Sequence, residues 1–238
     1  LLLKGSSHPL SGSGVQASSH GVKGLGGFTY RKMSKNVVKN LFEAEITREL
    51  NDPITIIALG PLTNVAKVLR DQEFARKVDK VIILAGTVSK GNITDYAEFN
   101  AYNDPEALNE VLRSSVRNKI LMPIDVCRNV VFDESDFKAD EFKGEILDML
   151  RPYISYYKND NDFGGYDGAI LYDLLAVMYE TSSQLFTTRY ASVSFVTKGS
   201  RKGTLLEINS GSTIKLVVDV NSVAVRQEYR TVTGFNKN

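Results

Sequence analysis

Two short segments hold the side chains best suited to chemistry. In Gly91-Asn92-Ile93-Thr94-Asp95-Tyr96-Ala97-Glu98-Phe99-Asn100, a carboxylate and an amide stand two residues apart with Phe99 between them. Such a pair suits a polyol such as ribose, since Glu98 accepts from hydroxyls and Asn100 can both donate and accept. The same spacing also suits a solvated loop with one buried phenylalanine. In Gly168-Ala169-Ile170-Leu171-Tyr172-Asp173-Leu174-Leu175-Ala176-Val177, Asp173 stands inside an apolar run. A bare carboxylate buried there is costly, so a cation or a strong hydrogen-bond donor is expected beside it. A helix N-cap, with Asp173 bonding the amides of Leu175 or Ala176, serves equally.

The elements that must position these residues follow an α/β grammar. Residues 36–49 have apolar side chains at helical spacing. Asp52-Pro53 stops that period, and the β-branched run 54–59 predicts a strand buried on both faces. After Gly60-Pro61, residues 62–70 resume a helical period. Residues 78–85 predict a second buried strand ending at Gly86. Asp104-Pro105 opens a helix, with Asp as N-cap and Pro at the first position, and residues 119–124 supply a third strand. Strands alternating with helices imply parallel βαβ units. Ligands of such sheets sit outside the carboxyl ends of the strands, which points to Leu59-Gly60, to Ala85 through Asn100, and to Asp125. Residues 130–180 read as mainly helical with a loop over 158–168, and residues 190–232 alternate like strands joined by turns. The expected fold is a single α/β domain over residues 1–238. It has a mostly parallel, Rossmann-like sheet with helices on both faces and a C-terminal β-rich extension.

Composition narrows the class. With 238 residues, 42% hydrophobic and 24% charged, the chain can bury a full core. A net charge of +1 provides no long-range field for nucleic acid or an anionic membrane. No stretch has the apolar length of a membrane span. Cys127 is the single cysteine, which excludes an internal disulfide and fits a cytoplasmic location. Residues 5–27 are rich in Gly and Ser and hold both histidines, His8 and His20, so they read as a linker or a substrate-facing loop. The chain opens on Leu1-Leu2-Leu3-Lys4, inside an apolar run and without Met, which suggests a piece of something longer.

Four ordered segments together resemble the inosine–uridine-type nucleoside hydrolases. Leu59-Gly60-Pro61-Leu62-Thr63-Asn64-Val65-Ala66 is similar to that family's strand-turn-helix signature. Gly91-Asn92, with Ala97-Glu98-Phe99-Asn100 and Asp104-Pro105-Glu106-Ala107, resembles its ribose-binding signature. Leu171-Tyr172-Asp173-Leu174-Leu175-Ala176-Val177 resembles a motif usually written Leu-His-Asp-Pro-Leu-Ala-Val, and His20-Gly21-Val22-Lys23-Gly24-Leu25-Gly26 its His-Gly loop. These matches cover nearly the whole chain.

The resemblance implies calcium-dependent hydrolysis of the N-glycosidic bond of ribonucleosides, water attacking through an oxocarbenium-like state. It implies Asp173 and the Leu59 carbonyl as calcium ligands, and Glu98, Asn100 and Asn92 as ribose-binding residues. Leu84 would lie against the sugar, and His20 near the mouth of the base pocket. It also implies a homodimer or homotetramer. Two departures stand out. The family's Asp-x-Asp-x-x-x-Asp-Asp motif, which supplies the other calcium ligands and the base, is absent from residues 1–238. Tyr172 replaces the histidine assigned to protonating the leaving base, and a phenol of pKa about 10 is a weak acid for that task. Two main readings follow: a hydrolase whose acidic segment lies outside this sequence, so that residues 1–238 alone are inactive, or a nucleoside- or sugar-binding protein without turnover. Glu98, Asn100 and Asp173 in register disfavour a third, a structural domain with no ligand.

Overall fold

The computed structural model describes residues 3–16, 39–40, 53–137, 148, 151, 152, 155 and 166–233. The chain divides into two compact units. One comprises Leu1–Val15, Ser34–Asp125 and Thr187–Val218, the other Gln16–Met33, Val126–Phe186 and Asp219–Asn238.

Two short strands, β1 (Leu3–Lys4) and β2 (Lys39–Asn40), pair in parallel. The helix expected over 36–49 is corrected at residues 39 and 40, because apolar spacing carries no information about a partner so distant in sequence. The rest of that stretch lies outside the described residues.

The main run is β3 (Ile54–Ala58), α1 (Thr63–Leu69), α2 (Gln72–Lys77), β4 (Val78–Leu84), α3 (Phe99–Asn103), α4 (Pro105–Arg113) and β5 (Asn118–Met122). After it come α5 (Ile124–Cys127), α6 (Tyr172–Thr181), β6 (Phe186–Phe195), β7 (Leu205–Glu207), β8 (Thr213–Val220) and α7 (Ser222–Val232). Six strands form one sheet in the order β3-β4-β5-β8-β6-β7. The first four are parallel, and β7 runs antiparallel to β6. This is the mostly parallel α/β sheet that the strand–helix alternation predicts. The C-terminal strands extend the sheet itself.

Burial explains why these segments are strands. Val81, Ile82 and Ile83 of β4 have no exposed surface, and each fully buried aliphatic side chain contributes about 1.5–3 kcal/mol. The run 54–59 departs from the expectation of two buried faces. Thr55 is exposed and only Ala58 of β3 is buried, since β3 lies at an edge of the described sheet. The core of this unit joins Val81, Ile83 and Leu121 to Leu108 and Val111 of α4, Leu62, Ala66 and Leu69 at α1, and Ile214 and Leu216 of β8.

The alternation over 190–232 predicts only strands, yet its last part is α7. Asn221 caps that helix, its side chain accepting from the Ala224 amide at 3.1 Å. Val225 is buried while Val223 is 75% exposed, so the alternating valines do not share a face. A further helix, α2, lacks a strong apolar period but is capped by Asp71, which accepts from the Glu73 and Phe74 amides. In the other unit, Phe132 and Ala169 form a backbone bridge at 2.9 and 2.7 Å, and Phe132 meets Tyr229 edge-on at 5.2 Å. Among the described residues, no helix is long and apolar enough to cross a membrane.

Candidate active site

The carboxyl ends of β3 and β4 gather five of the residues that the sequence singles out. Glu98 is 3% exposed, and its carboxylate is held by three backbone amides: Asn100 at 2.8 Å on Oε1, and Gly86 and Ala101 at 3.0 Å each on Oε2. It is thereby the N-cap of α3. Asn100 lies one turn-step further, inside the helix. Residues 91–98 are loop, but Phe99 and Asn100 already belong to α3, because a carboxylate that accepts from the amides two and three residues on starts a helix.

Asn100 uses both amide hydrogens on backbone carbonyls, Leu84 O at 2.9 Å and Leu59 O at 3.2 Å. What it has to offer a ligand is its Oδ1 acceptor, not the donor-and-acceptor pair read from its residue type. The Leu59 carbonyl, just past β3, thus lies within bonding reach of Asn100, and a carbonyl has a second lone pair for another partner. Asn92 accepts from the Phe99 amide at 2.8 Å, so it shapes the entry to α3. Leu84 is 3% exposed.

Glycine is required at two places in this cluster. Gly86 adopts φ +83°, and a Cβ there would lie 2.9 Å from the Phe195 ring. A Cβ on Gly91 would lie 2.1 Å from the carbonyl oxygens of Ala97 and Thr94. Gly91 lets backbone approach backbone, and Gly86 lets the Phe195 ring close onto the chain, where a Cβ would collide.

The flanking signatures serve as supports. Asp104 caps α4 through the Ala107 amide at 3.0 Å, and its Oδ2 also accepts from Thr63 Oγ1 at 2.5 Å and the Leu10 amide at 2.8 Å. Asn64 accepts from the Ser6 amide at 2.8 Å, and Asn103 from the Val15 amide at 2.7 Å. Residues 6 to 15 are therefore tied down by motif side chains, which a Gly/Ser-rich linker reading does not anticipate. His20 lies outside the described residues.

Asp125, to which the strand-end rule points, is a hub whose partners the sequence does not reveal. It accepts from the Val88 amide at 2.8 Å, the Ser89 amide at 3.0 Å and the Ser89 hydroxyl, with Thr87 Oγ1 at 3.1 Å. The rule that ligands gather at strand ends was the available signal.

The second unit holds Tyr172 and Asp173. Tyr172 is the first residue of α6 and partly buried; Asp173 is the second and exposed. The N-cap position belongs to Leu171, so Asp173 is not the cap. Its exposure also removes the desolvation reason for a cation beside it, because the apolar residues of the run turn to other faces of the helix. Among the described residues of this unit Asp136 is buried, 0% exposed, and meets Arg226 at 2.7 Å and Arg230 at 2.6 Å; Arg226 also reaches Asp133 at 2.6 Å. Burial acts to raise the Asp133 pKa, but bonds from Ser135 and Arg226 hold it below the usual carboxylate range. Burial and the charge of Asp136 push the Tyr229 phenol up. Among the described residues, no three His, Cys, Asp or Glu side chains cluster as a metal site would require.

The Leu59 carbonyl, the Glu98 carboxylate and the Asn100 amide thus lie together at the strand ends of a mostly parallel α/β sheet. The profile of the inosine-uridine preferring nucleoside hydrolases matches residues 2–233, and the chain belongs to that family. It is 30% identical over 217 residues to a pyrimidine-specific ribonucleoside hydrolase of Salmonella arizonae, covering 83% of this chain and 68% of that protein. It is 32% identical over 205 residues to the probable uridine nucleosidase 1 of Oryza sativa subsp. japonica, covering 82% and 63%. Across these and a similar hydrolase of Citrobacter koseri, the chain spans 51% to 68% of the curated relatives' length. Among solved structures, a plant nucleoside hydrolase superimposes with a TM-score of 0.85 at 26% identity, over 95% of this chain and 78% of that one. A purine-preferring ribonucleoside hydrolase from Gardnerella vaginalis has the same fold, with a TM-score of 0.82 at 21% identity over 96% of this chain and 78% of that one.

Proposed function

We propose that the full protein hydrolyses the N-glycosidic bond of ribonucleosides to ribose and free base. The observation that carries this is the Glu98 carboxylate, fixed by three neutral amides beside Asn100 and the Leu59 carbonyl, in a chain of this family. These neutral donors orient the carboxylate and bring no formal charge of their own. Glu98 accepts from a ribose hydroxyl, and its field stabilises the positive charge that grows on the sugar as the bond breaks. Asn100 contributes Oδ1 as an acceptor, and Asn92 maintains the start of α3. In this reading Leu84 shapes the sugar's seat, and the roles given to His20 and Tyr172 are contact with the base and proton donation to it.

Calcium is the proposed metal, with Asp173 and the Leu59 carbonyl among its ligands. When bound, it would supply a polarised water and a clamp on the ribose hydroxyls. Calcium takes about six to eight oxygen ligands, and the described residues offer these two, so they do not form a closed site. The roles given to Glu98 and Asn100 do not depend on the ion. A cytoplasmic homodimer or homotetramer is the proposed setting, with no nucleic-acid or membrane partner.

Ribose release tests the reading. The full protein with calcium should release ribose from uridine or inosine, while a purified polypeptide of residues 1–238 should release none. Binding of nucleoside by the full protein without ribose release would establish the second reading, a binding protein without turnover. Turnover by residues 1–238 alone would overturn the assignment of the missing ligands.

A further inference from the structure

We infer that Asp125 is a positioning residue for Glu98, acting through the loop that follows β4. This rests on the hydrolase reading. Residues 87 to 89 leave the sheet just past β4, and Val88 is 61% exposed, so packing does little to hold that turn. Three donors of the turn converge on one carboxylate: the Val88 amide at 2.8 Å, the Ser89 amide at 3.0 Å, and the Ser89 hydroxyl. Thr87 Oγ1 lies 3.1 Å from Asp125 Oδ1 and 3.0 Å from the Lys90 carbonyl, and gives its single proton to one of them. Only an acceptor with no hydrogen of its own satisfies such a set, which an ionised Asp does and Asn does not.

The residue before Asp125 completes the grip. The Ile124 amide donates to the Gly86 carbonyl at 3.0 Å, and the Gly86 amide donates to Glu98 Oε2 at 3.0 Å. Gly86 is thus held through its carbonyl from the start of α5 and delivers its N–H to Glu98 on the other side. Ile124 and Asp125, the first residues of α5 just past β5, set where residues 86 to 89 lie, and those set one oxygen of the carboxylate that holds the ribose. Releasing the turn lets Gly86 rotate at its positive φ and withdraws one of the three amides from Glu98.

The test uses the full protein and two readouts. Asp125→Asn keeps the side chain's size but turns an N–H₂ toward the donors. Its kcat for ribose release from uridine should fall on the order of a hundredfold, the scale of a small misplacement of a reacting group, with KM little changed. In a Glu98→Gln background the same substitution should cost less than about threefold, because the group it acts through is already altered. Exchange of the Gly86 amide with solvent should quicken by about tenfold, the size of one lost hydrogen bond. If Asp125→Asn does not fold, Thr87→Val with Ser89→Ala removes the hydroxyl donors instead and should shift both readouts the same way. An equal loss of kcat in both backgrounds, or unchanged Gly86 exchange, overturns the inference. Absence of ribose release by the unaltered protein would sink the hydrolase reading alone, and Gly86 exchange would still decide whether Asp125 holds the turn.

Discussion

Glu98 and Asp136 are both buried carboxylates, 3% and 0% exposed, but their charges are handled in opposite ways. Three backbone amides hold Glu98, orienting its oxygens while bringing no formal charge of their own. Two arginines flank Asp136, so its charge is consumed in bonding the segment around residues 133 to 136 to α7. Arginines neutralise the acid they bond, whereas amide dipoles fix the direction of its oxygens. Burial of an acid therefore does not identify a site, whereas the kind of donor around it does.

Removing the second arrangement should have the largest effect on stability. Asp136→Ala strands Arg230 and takes the buried partner from Arg226. Breaking a buried pair costs about 3–5 kcal/mol. The lower end, about 3 kcal/mol, is expected because the arginines are 30% and 36% exposed and can turn to solvent. Urea unfolding of the full protein measures this. Ribose release per folded molecule should be unaffected, and a large loss of kcat in the folded fraction would erase the distinction between the two acids.

Glu98→Gln should do the reverse. It keeps one acceptor oxygen for the cap amides, so the loss of stability should stay below about 1 kcal/mol, but it removes the charge proposed to face the reaction. Loss of one oriented electrostatic contact lowers kcat by roughly 10²–10³. Steady-state kinetics on uridine read this directly, and a change confined to KM would return Glu98 to a purely structural role.

Tyr172 sharpens the contrast from the other unit. Proton donation matters only when the leaving group needs a proton, so Tyr172→Phe should slow uridine hydrolysis by about tenfold, below the usual contribution of a well-matched acid. Hydrolysis of p-nitrophenyl riboside, whose leaving group needs none, should not change. A matching loss on both substrates would mean that Tyr172 does something other than donate a proton.

The legible parts of the molecule are those governed by local pattern. β4 is legible because Val81, Ile82 and Ile83 form an unbroken β-branched run buried on both faces, and α4 because Asp104-Pro105 is a cap followed by a first-turn proline. Glu98 and Asn100 were legible as a polar pair just past a strand end. Their hydrogen bonds were not, since the donors from Gly86 and the acceptors at Leu59 and Leu84 arrive from other strands. Asp125 shows the same limit, being 36 to 38 residues from the turn it holds. The start of α7 was obscured because Val223 and Val225 mimic strand alternation while Asn221 supplies the cap. Asp173 sits in an apolar sequence yet is exposed, because a helix sends neighbours in sequence to different faces.

The smallest expected effect belongs to a carboxylate that is paired but not buried. Arg70, just past α1, bonds Glu110 of α4 through two contacts of 2.6 and 2.8 Å, with the side chains 56% and 35% exposed. The hydrogen bond from Arg70 holds the Glu110 carboxyl below its usual range, against a smaller opposing effect of burial. A carboxylate with a depressed folded pKa adds stability above its unfolded pKa of about 4.3. That stability is lost as pH falls through the lower, folded value. Solvent screening limits such a pair to about 1 kcal/mol or less. Arg70→Ala should therefore lower the unfolding free energy by less than about 1 kcal/mol at pH 7. The variant and the unaltered protein should converge as pH drops below the ordinary carboxylate range, because Glu110 is then protonated in both. Urea unfolding at neutral and acidic pH measures the difference. A gap that persists undiminished in acid would mean that Arg70 acts through the packing of its stem against Ala66 and Val111, which line the same shallow cavity, and not through its charge.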